Sequence, residues 1–456
     1  MKVEPSMLGD AGFRRDYQIK HAYLSGAMYR GIASSALVIA MARGGLMGFL
    51  GTGGMKETEI ETNLLTIREA LAPGQSWGAN LLCHPDRPEL EQSTVALYLR
   101  HGLKRIEAAA FMQITPALAW FRLSGLRRDG SGTIRCDHQI VAKISRPEVA
   151  EMFMSPAPER LVLMLLAENK ISAEQARLAA SVPMSHDICV EADSGGHTDQ
   201  GVALVLLPAI QSVRDLMVAK WRFADPVRVG LAGGIGTPQA AAAAFIMGAD
   251  FILTGSINQC TVEAGASDTV KDMLQAMNVQ DTDYAPAGDM FELGAKVQVL
   301  KKGVFFPARA NKLYALYSHY ADWEQIPLNL RTQVEEKYFR ARYADIWDQT
   351  CAYLAARGRG ASLAGTGAKE KMGLVFRHYF RLSTSAAMRG DEARRVDFQI
   401  HTGPALGAFN QWVAGTPLQS WRERHVADVA GRLMTGAAAL LTQRVNAWQA
   451  AGEEQQ

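Results

Sequence analysis

One histidine of this chain stands where an α/β enzyme keeps its chemistry. An apolar run, Ile188 to Val190, breaks into Glu191-Ala192-Asp193-Ser194-Gly195-Gly196-His197-Thr198-Asp199. A strand there ends, turns on paired glycines and delivers an imidazole just past the strand end. Gly195 and Gly196 lack Cβ atoms, so the backbone can take φ > 0 and a flat ligand can approach it closely, the next side chain standing over that ligand. An imidazole changes charge near neutral pH, which makes His197 a candidate proton donor. The structural alternative is a histidine that caps the turn. Asp193 and Asp199 flank it and either could orient the ring, although an Asp before Ser-Gly-Gly more often accepts from loop N–H groups.

A second chemistry is written in glycines. Val229-Gly230-Leu231-Ala232-Gly233-Gly234-Ile235-Gly236-Thr237-Pro238 is followed, one βα unit on, by Asp250-Phe251-Ile252-Leu253-Thr254-Gly255-Ser256-Ile257. Unpaired backbone N–H groups in such loops, with a helix N-terminus behind them, bind phosphate. Gly233, Gly234, Gly255 and Ser256 suit that task. Either loop alone could equally be a tight turn, and it is the pair that favours phosphate. Gly51-Thr52-Gly53-Gly54-Met55-Lys56 and Gly234-Ile235-Gly236-Thr237-Pro238-Gln239 both lack the last glycine of a dinucleotide fingerprint, and no Gly-Lys-Ser/Thr occurs. The expected ligand is a mononucleotide such as FMN. Asn80, near a strand end, is placed to hydrogen-bond the isoalloxazine edge. Lys143 is a candidate contact to flavin N1 or O2, because an unpaired buried ammonium is too costly to be core filler; an ion pair with Glu107 is the alternative.

Elements must carry these residues to one place. Strand-like runs fall at residues 25 to 32, Leu46 to Leu50, Trp77 to Leu82, Arg105 to Ala109, Gln139 to Ile144, Ile188 to Glu191, Val227 to Leu231 and Asp250 to Thr254. Helical segments alternate with them, several opened by Ser or Thr caps or by Pro, as before Ala36, at Thr115-Pro116, Arg146-Pro147 and Thr237-Pro238. Eight strands alternating with helices describe a (β/α)8 TIM barrel, with a doubly wound open sheet as the other solution. The barrel is assigned to residues 1–270 and carries a helical insertion at about 155–186. From 271 to 456 amphipathic helical pieces dominate, apart from strand-like Lys296 to Leu300 and Val304 to Phe306. This reads as a mostly helical C-terminal appendage packed on the barrel, with a mobile Gly-rich link from Gly358 to Gly367 and a frayed tail from Gly452.

Composition excludes several classes. Lys plus Arg number 48 against 46 for Asp plus Glu, a net charge of +2 in 456 residues, which does not point to nucleic acid or to an anionic membrane surface. No run of about 18 apolar residues is free of charges or glycines, and the N-terminus has no apolar signal-peptide core. Five scattered cysteines without a Cys-x-x-Cys pair suggest neither a disulfide framework nor a zinc site. The expectation is a cytoplasmic, metal-free enzyme.

Taken together, the Glu-Ala-Asp-Ser-Gly-Gly-His-Thr-Asp run, the Ala-Gly-Gly-Ile-Gly-Thr-Pro run, Thr254-Gly255-Ser256-Ile257-Asn258-Gln259 and Val262-Glu263-Ala264-Gly265 resemble the PfaD family. These are FMN-dependent enoyl reductases of polyunsaturated fatty acid and trans-acyltransferase polyketide synthesis, relatives of nitronate monooxygenases and of the flavin enoyl reductase FabK. The likeness extends from Asn80-Leu81-Leu82 through Val141-Ala142-Lys143-Ile144 and Lys296-Val297-Gln298-Val299 to Asp397-Phe398-Gln399-Ile400 and Gly403-Pro404-Ala405-Leu406. It implies an FMN barrel that takes hydride from NADPH and reduces an enoyl thioester on an acyl carrier protein, within polyketide or fatty acid synthase modules. His197 matches the histidine beside the flavin in the wider superfamily, as acid or as donor to the thioester carbonyl. A homodimer is compatible with the resemblance. Carrier proteins are generally acidic, so Arg377, Arg381, Arg389, Arg394 and Arg395 are candidates for docking, against the alternative of a solvated face. A nitronate monooxygenase on the same barrel is the competing enzyme reading.

Overall fold

The computed structural model describes residues 2–358, 363 and 365–453. Its strands, in chain order, are β1 Tyr23–Ser25, β2 Met47–Leu50, β3 Gly78–Leu82, β4 Arg105–Ala109, β5 Leu126–Arg128, β6 Ile134–Cys136, β7 Gln139–Ile144, β8 Asp187–Glu191, β9 Gly196–His197, β10 Arg228–Ala232, β11 Ile252–Thr254, β12 Thr282–Pro286 and β13 Lys296–Leu300. Eight of them close into a parallel barrel in the order β1-β11-β10-β8-β7-β4-β3-β2. The expected (β/α)8 barrel is therefore the fold, and the open doubly wound sheet is not. The barrel strands are short and apolar because both faces are covered, by lumen side chains inside and helices outside.

The helices begin where their caps dictate. Ser34 Oγ accepts from Leu37 N, Thr115 Oγ1 from Leu118 N and Thr237 Oγ1 from Ala240 N, so each starts a helix with one orphan donor satisfied. Proline occupies the first turn of Pro88–Arg100, Pro116–Ser124, Pro147–Phe153 and Pro238–Ile246. The insertion folds as helices Glu159–Ala167 and Ala173–Leu178. Elements that the sequence reading did not name include the antiparallel β5–β6 hairpin, strand β12 and the helices Ala11–Tyr17, Ala203–Trp221 and Ala368–Arg389.

The first strand differs from expectation. It covers Tyr23–Ser25, and residues 26 to 32 instead form a loop with a 3-10 turn at Tyr29–Gly31. The reason is tertiary: Tyr23, Leu24 and Ser25 pair with Ile252, Leu253 and Thr254 of β11, whereas Arg30 and Gly31 donate to Gly53 and Gly51 in the loop after β2.

The N-terminal end of the barrel is closed by Ala11–Tyr17. Phe13 stacks on Phe251 at 4.3 Å, and Tyr17 OH donates to Asp187 Oδ2 at 2.6 Å. Arg228 Nε reaches Asp187 Oδ1 at 2.6 Å. Asp187 and Arg228 open β8 and β10, so this network stands at the N-terminal ends of the strands, where a barrel invests in stability.

The chain divides into two compact units. One comprises the residues up to Asp193, Asp199–Gly265 and the chain from Gln411 onward; the other comprises Ser194–Thr198 and Ala266–Asn410. Helix Val426–Glu453 thus belongs with the barrel, where Val426, Ala430, Leu433, Met434 and Ala437 join the main core cluster. In the second unit β9, β13 and β12 form an antiparallel sheet, and helices Phe306–His319 and Ala368–Arg389 pack an aromatic core around Phe291, Phe376 and Phe380. The strand expected at Val304 to Phe306 is the entry to helix Phe306–His319: Pro307 cannot donate to a strand ladder but suits a first helical turn. Residues 359–362 and 364 of the Gly-rich link, and 454–456 of the tail, lie outside the described residues.

Candidate active site

Three charged side chains meet on adjacent barrel strands. Lys143, near the C-terminal end of β7, places Nζ 2.6 Å from Glu191 Oε1 at the end of β8 and 3.9 Å from Glu107 Oε1 on β4. Glu107 is 1% exposed, and its Oε2 accepts from Ala27 N at 3.0 Å. Burial pushes the Glu107 carboxyl up, to about 7, with Lys143 pulling the other way. Burial opposes the Lys143 ammonium, but Glu191 and Glu107 outweigh it and hold its pKa above the ordinary lysine range. The ion pair with Glu107 is thus present, joined by a closer one with Glu191 that spacing alone did not disclose.

Asn80, expected near a strand end, is the central residue of β3 and is buried. Its Oδ1 accepts from Thr52 N and Thr52 Oγ1, both at 2.8 Å, and its carbonyl accepts from Tyr98 OH at 2.6 Å. The side-chain oxygen therefore anchors the glycine loop after β2, which leaves the amide nitrogen as the donor end.

The loops after β10 and β11, the seventh and eighth barrel strands, are shaped by backbone proximity. Gly233 has φ +93°, and a Cβ there would stand 2.6 Å from Ala192 O. Gly234 has φ +75°, yet a Cβ would meet no atom within 4 Å, and the same holds for Gly255. Gly233 is thus required by packing, whereas Gly234 and Gly255 border open space. Ser256 opens the short helix Ser256–Gln259. Beneath this loop Asn258 is fully buried, and its Nδ2 donates to Ser25 Oγ at 2.9 Å and to Thr254 O at 3.0 Å; Tyr23 OH bonds Thr254 Oγ1. Asn258 holds the turn in shape, a role its spacing of four residues from Thr254 could have indicated.

His197 lies in the second unit. It is not at the tip of a free turn but in β9, opposite Val297 of β13. Its Nε2 lies 2.9 Å from Asp289 Oδ1, in the β12–β13 connection. His401 is adjacent: a Cβ on Gly196, whose φ is +88°, would stand 3.6 Å from His401 Nδ1, and one on Gly195 would stand 2.6 Å from Thr402 Cα. Gly195 thus makes room for the passing Thr402 backbone, whereas Gly196 is favoured by its positive φ. Partial burial would raise the Asp289 carboxyl, but the hydrogen bond and charge of His197 prevail and hold it low, at about 2. Burial, with His197 nearby, lowers His401 to about 4, Asp289 acting in the other direction.

Asp199, one of the two flanking acids offered as orienting the ring, is engaged elsewhere. Asp199 does not orient the imidazole: it accepts from Ser145 Oγ at 2.6 Å and from Arg146 Nε at 3.1 Å and Nη2 at 3.2 Å, pinning the loop after β7. A bidentate guanidinium offers it more than one imidazole could. Asp193 N donates to Gly201 O at 2.8 Å. The carboxylate on His197, Asp289, is distant in sequence and had no local signal.

The arginines proposed for docking are occupied within their own unit. Arg381 stacks on Tyr353 at 3.6 Å, Arg394 donates to the Phe339 carbonyl at 3.1 Å, and Arg377 reaches Glu292 and the Asp289 carbonyl. Arg389 bonds Ser385 and Arg395 pairs with Glu392. Among the described residues no group of three or more His, Cys, Asp or Glu is arranged to hold a metal, and no helix is long and apolar enough to cross a membrane.

Fold and site define the class: a decorated (β/α)8 barrel with polar groups gathered at the C-terminal ends of its strands. Comparison with known proteins narrows it. The enoyl reductase domain of MlnA, from the macrolactin biosynthesis cluster of Bacillus amyloliquefaciens, superposes with a TM-score of 0.93 at 42% identity, covering 97% of this chain and 99% of that one. The chain belongs to the family of that domain. It is also 53% identical over 97% of its length to the polyketide biosynthesis protein PksE of Bacillus subtilis, and 41% identical over 98% to one of the polyunsaturated fatty acid synthase subunits of a Thraustochytrium species. It spans 58% and 30% of those longer proteins. Residues 320–398 match the family model described as [acyl-carrier-protein] S-malonyltransferase, inserted helical domain.

Proposed function

We propose that this chain is an enoyl reductase acting in trans, in the cytoplasm, on α,β-unsaturated thioesters carried by acyl carrier protein in polyketide or polyunsaturated fatty acid synthesis, with NADPH and FMN. The observation that carries this reading is the full-length likeness to the MlnA enoyl reductase domain. When bound, the flavin supplies hydride transfer from NADPH to the β-carbon of the enoyl group.

The residues fit a flavin mononucleotide. Gly233, Gly234, Gly255 and Ser256 would hold its phosphate, supported by the open space over Gly234 and Gly255. Asn80, with its oxygen engaged by Thr52, offers amide N–H to the ring edge, and Lys143, cationic between Glu107 and Glu191, offers charge to its pyrimidine side. Asp193, Gly195 and Gly196 set the backbone path that carries His197. His197 protonates the α-carbon or donates to the thioester carbonyl.

The test is anaerobic. Purified protein should be yellow, bleach with NADPH and recover its flavin spectrum on addition of a crotonyl thioester. A colourless protein that takes up no FMN, or recovery only with oxygen and a nitronate, would refute the assignment.

A further inference from the structure

We infer that Asp289 is the positioning residue for His197: its carboxylate accepts the Nε2 proton and so fixes both the orientation and the tautomer of the imidazole. This partner lies 92 residues from His197 in sequence. The chain supplies it from the connection between β12 and β13, and β13 is the strand that pairs with His197 itself. One short sheet thus holds both ends of the hydrogen bond, the backbone of His197 by strand pairing and the carboxylate by the neighbouring connection. The inference rests on the reading of His197 as the donor in enoyl reduction.

Three observations converge on it. The 2.9 Å separation of Nε2 and Oδ1 is a charge-assisted hydrogen-bond distance. Arg377 Nη2 donates to the Asp289 carbonyl at 3.2 Å while its Nη1 faces Glu292 Oε1 at 3.4 Å, which anchors the backbone under the carboxylate without taking its oxygens. His401, the second imidazole beside the pair, has its Nε2 2.8 Å from Gln399 Nε2, and burial favours its neutral form. Titratable and charged groups beside His197 include Asp289 and His401, with Arg377 and Glu292 behind Asp289 and Lys296 preceding its strand partner Val297. Of these, Asp289 stands at hydrogen-bond distance from the ring.

The chemical consequence is directional. With Nε2–H donated to Asp289, the neutral ring keeps its proton on Nε2, and Nδ1 is the nitrogen that gains and loses the second proton. The adjacent carboxylate favours the imidazolium over the neutral ring. When Nδ1–H is transferred to the substrate, the ring becomes neutral with Nε2–H still held by Asp289, and a proton from water restores the imidazolium.

The experiment is a nitrogen-15 and carbon-13 NMR titration of the His197 ring in the full chain, assigned by comparison with His197→Ala. The wild-type neutral ring should show the Nε2–H tautomer, a measurement that needs no Asp289 variant; an Nδ1–H tautomer would overturn the inference. Asp289→Asn should lower the His197 pKa by about one unit, and Asp289→Glu should restore part of it. An unmoved His197 pKa in Asp289→Asn would also overturn it. In turnover, Asp289→Asn should move the alkaline fall-off of enoyl reduction to lower pH by the same shift, with flavin reduction by NADPH unaffected. If the NMR outcomes hold while His197→Ala reduces enoyl thioesters at the wild-type rate, the positioning stands and the catalytic assignment of His197 falls.

Discussion

Lys143 Nζ lies 2.6 Å from Glu191 Oε1 across the β7–β8 pair, but 3.9 Å from the more deeply buried Glu107. The cation is shared unequally, so Glu107 keeps much of its desolvation cost and its carboxyl rises to about 7. A carboxyl raised above its unfolded value binds more protons in the folded chain. Stability from this group is therefore lost as pH climbs from about 4.5, the unfolded range, through about 7. Urea denaturation from pH 5 to pH 8 should show that decline, roughly 1.4 kcal/mol per unit at most, and Glu107→Gln should flatten it. An identical pH slope in Glu107→Gln would show that Glu107 is not the group responsible.

Gly255 separates flavin binding from folding. Its φ is not left-handed and a Cβ would meet nothing within 4 Å, so Gly255→Asp should change stability by less than about 1 kcal/mol. Facing a phosphate, the same carboxylate should weaken FMN binding tenfold or more, read by flavin fluorescence titration. Unchanged affinity would move the phosphate away from the β11 loop.

His197 separates the two half-reactions. His197→Ala should leave FMN bound and its reduction by NADPH largely intact, while reoxidation by a crotonyl thioester slows by about two to four orders of magnitude. Stopped-flow absorbance of each half-reaction checks this, and an undiminished reoxidation rate would remove His197 from the chemistry.

Asp187 should matter for stability alone. It is fully buried and accepts from Tyr17 OH and from Arg228 Nε and Nη2. Asp187→Asn leaves a partly buried guanidinium short of charge and should cost about 2–4 kcal/mol, toward the low end because Arg228 keeps Asp16 at 2.8 Å. Turnover per folded molecule should be unchanged; a kinetic defect without a stability defect would contradict the placement of this network at the stabilising end of the barrel.

What the sequence determined by itself was periodic and local. Short apolar runs interrupted by Pro- or Ser/Thr-started helices specify a (β/α)8 barrel, because strands buried on both faces and their covering helices leave that signal in consecutive residues. Seven of the eight barrel strands were legible in this way, as were Lys143 near the end of β7 and the glycines after β10 and β11, whereas Asn80, expected near a strand end, sits at the centre of β3. The first strand was misplaced because Tyr23–Ser25 is defined by its partner β11, 229 residues away at Tyr23↔Ile252, and not by its own pattern. Only the tertiary structure decided who meets whom. It paired Lys143 with Glu191 as well as Glu107, tied Asp199 to Arg146, set Asn258 under the Gly255 turn and brought Asp289 to His197. The physical reason is range: backbone propensity and burial act over a few residues and mark the chain where they act, whereas a hydrogen bond between residues 92 positions apart leaves no mark near either one.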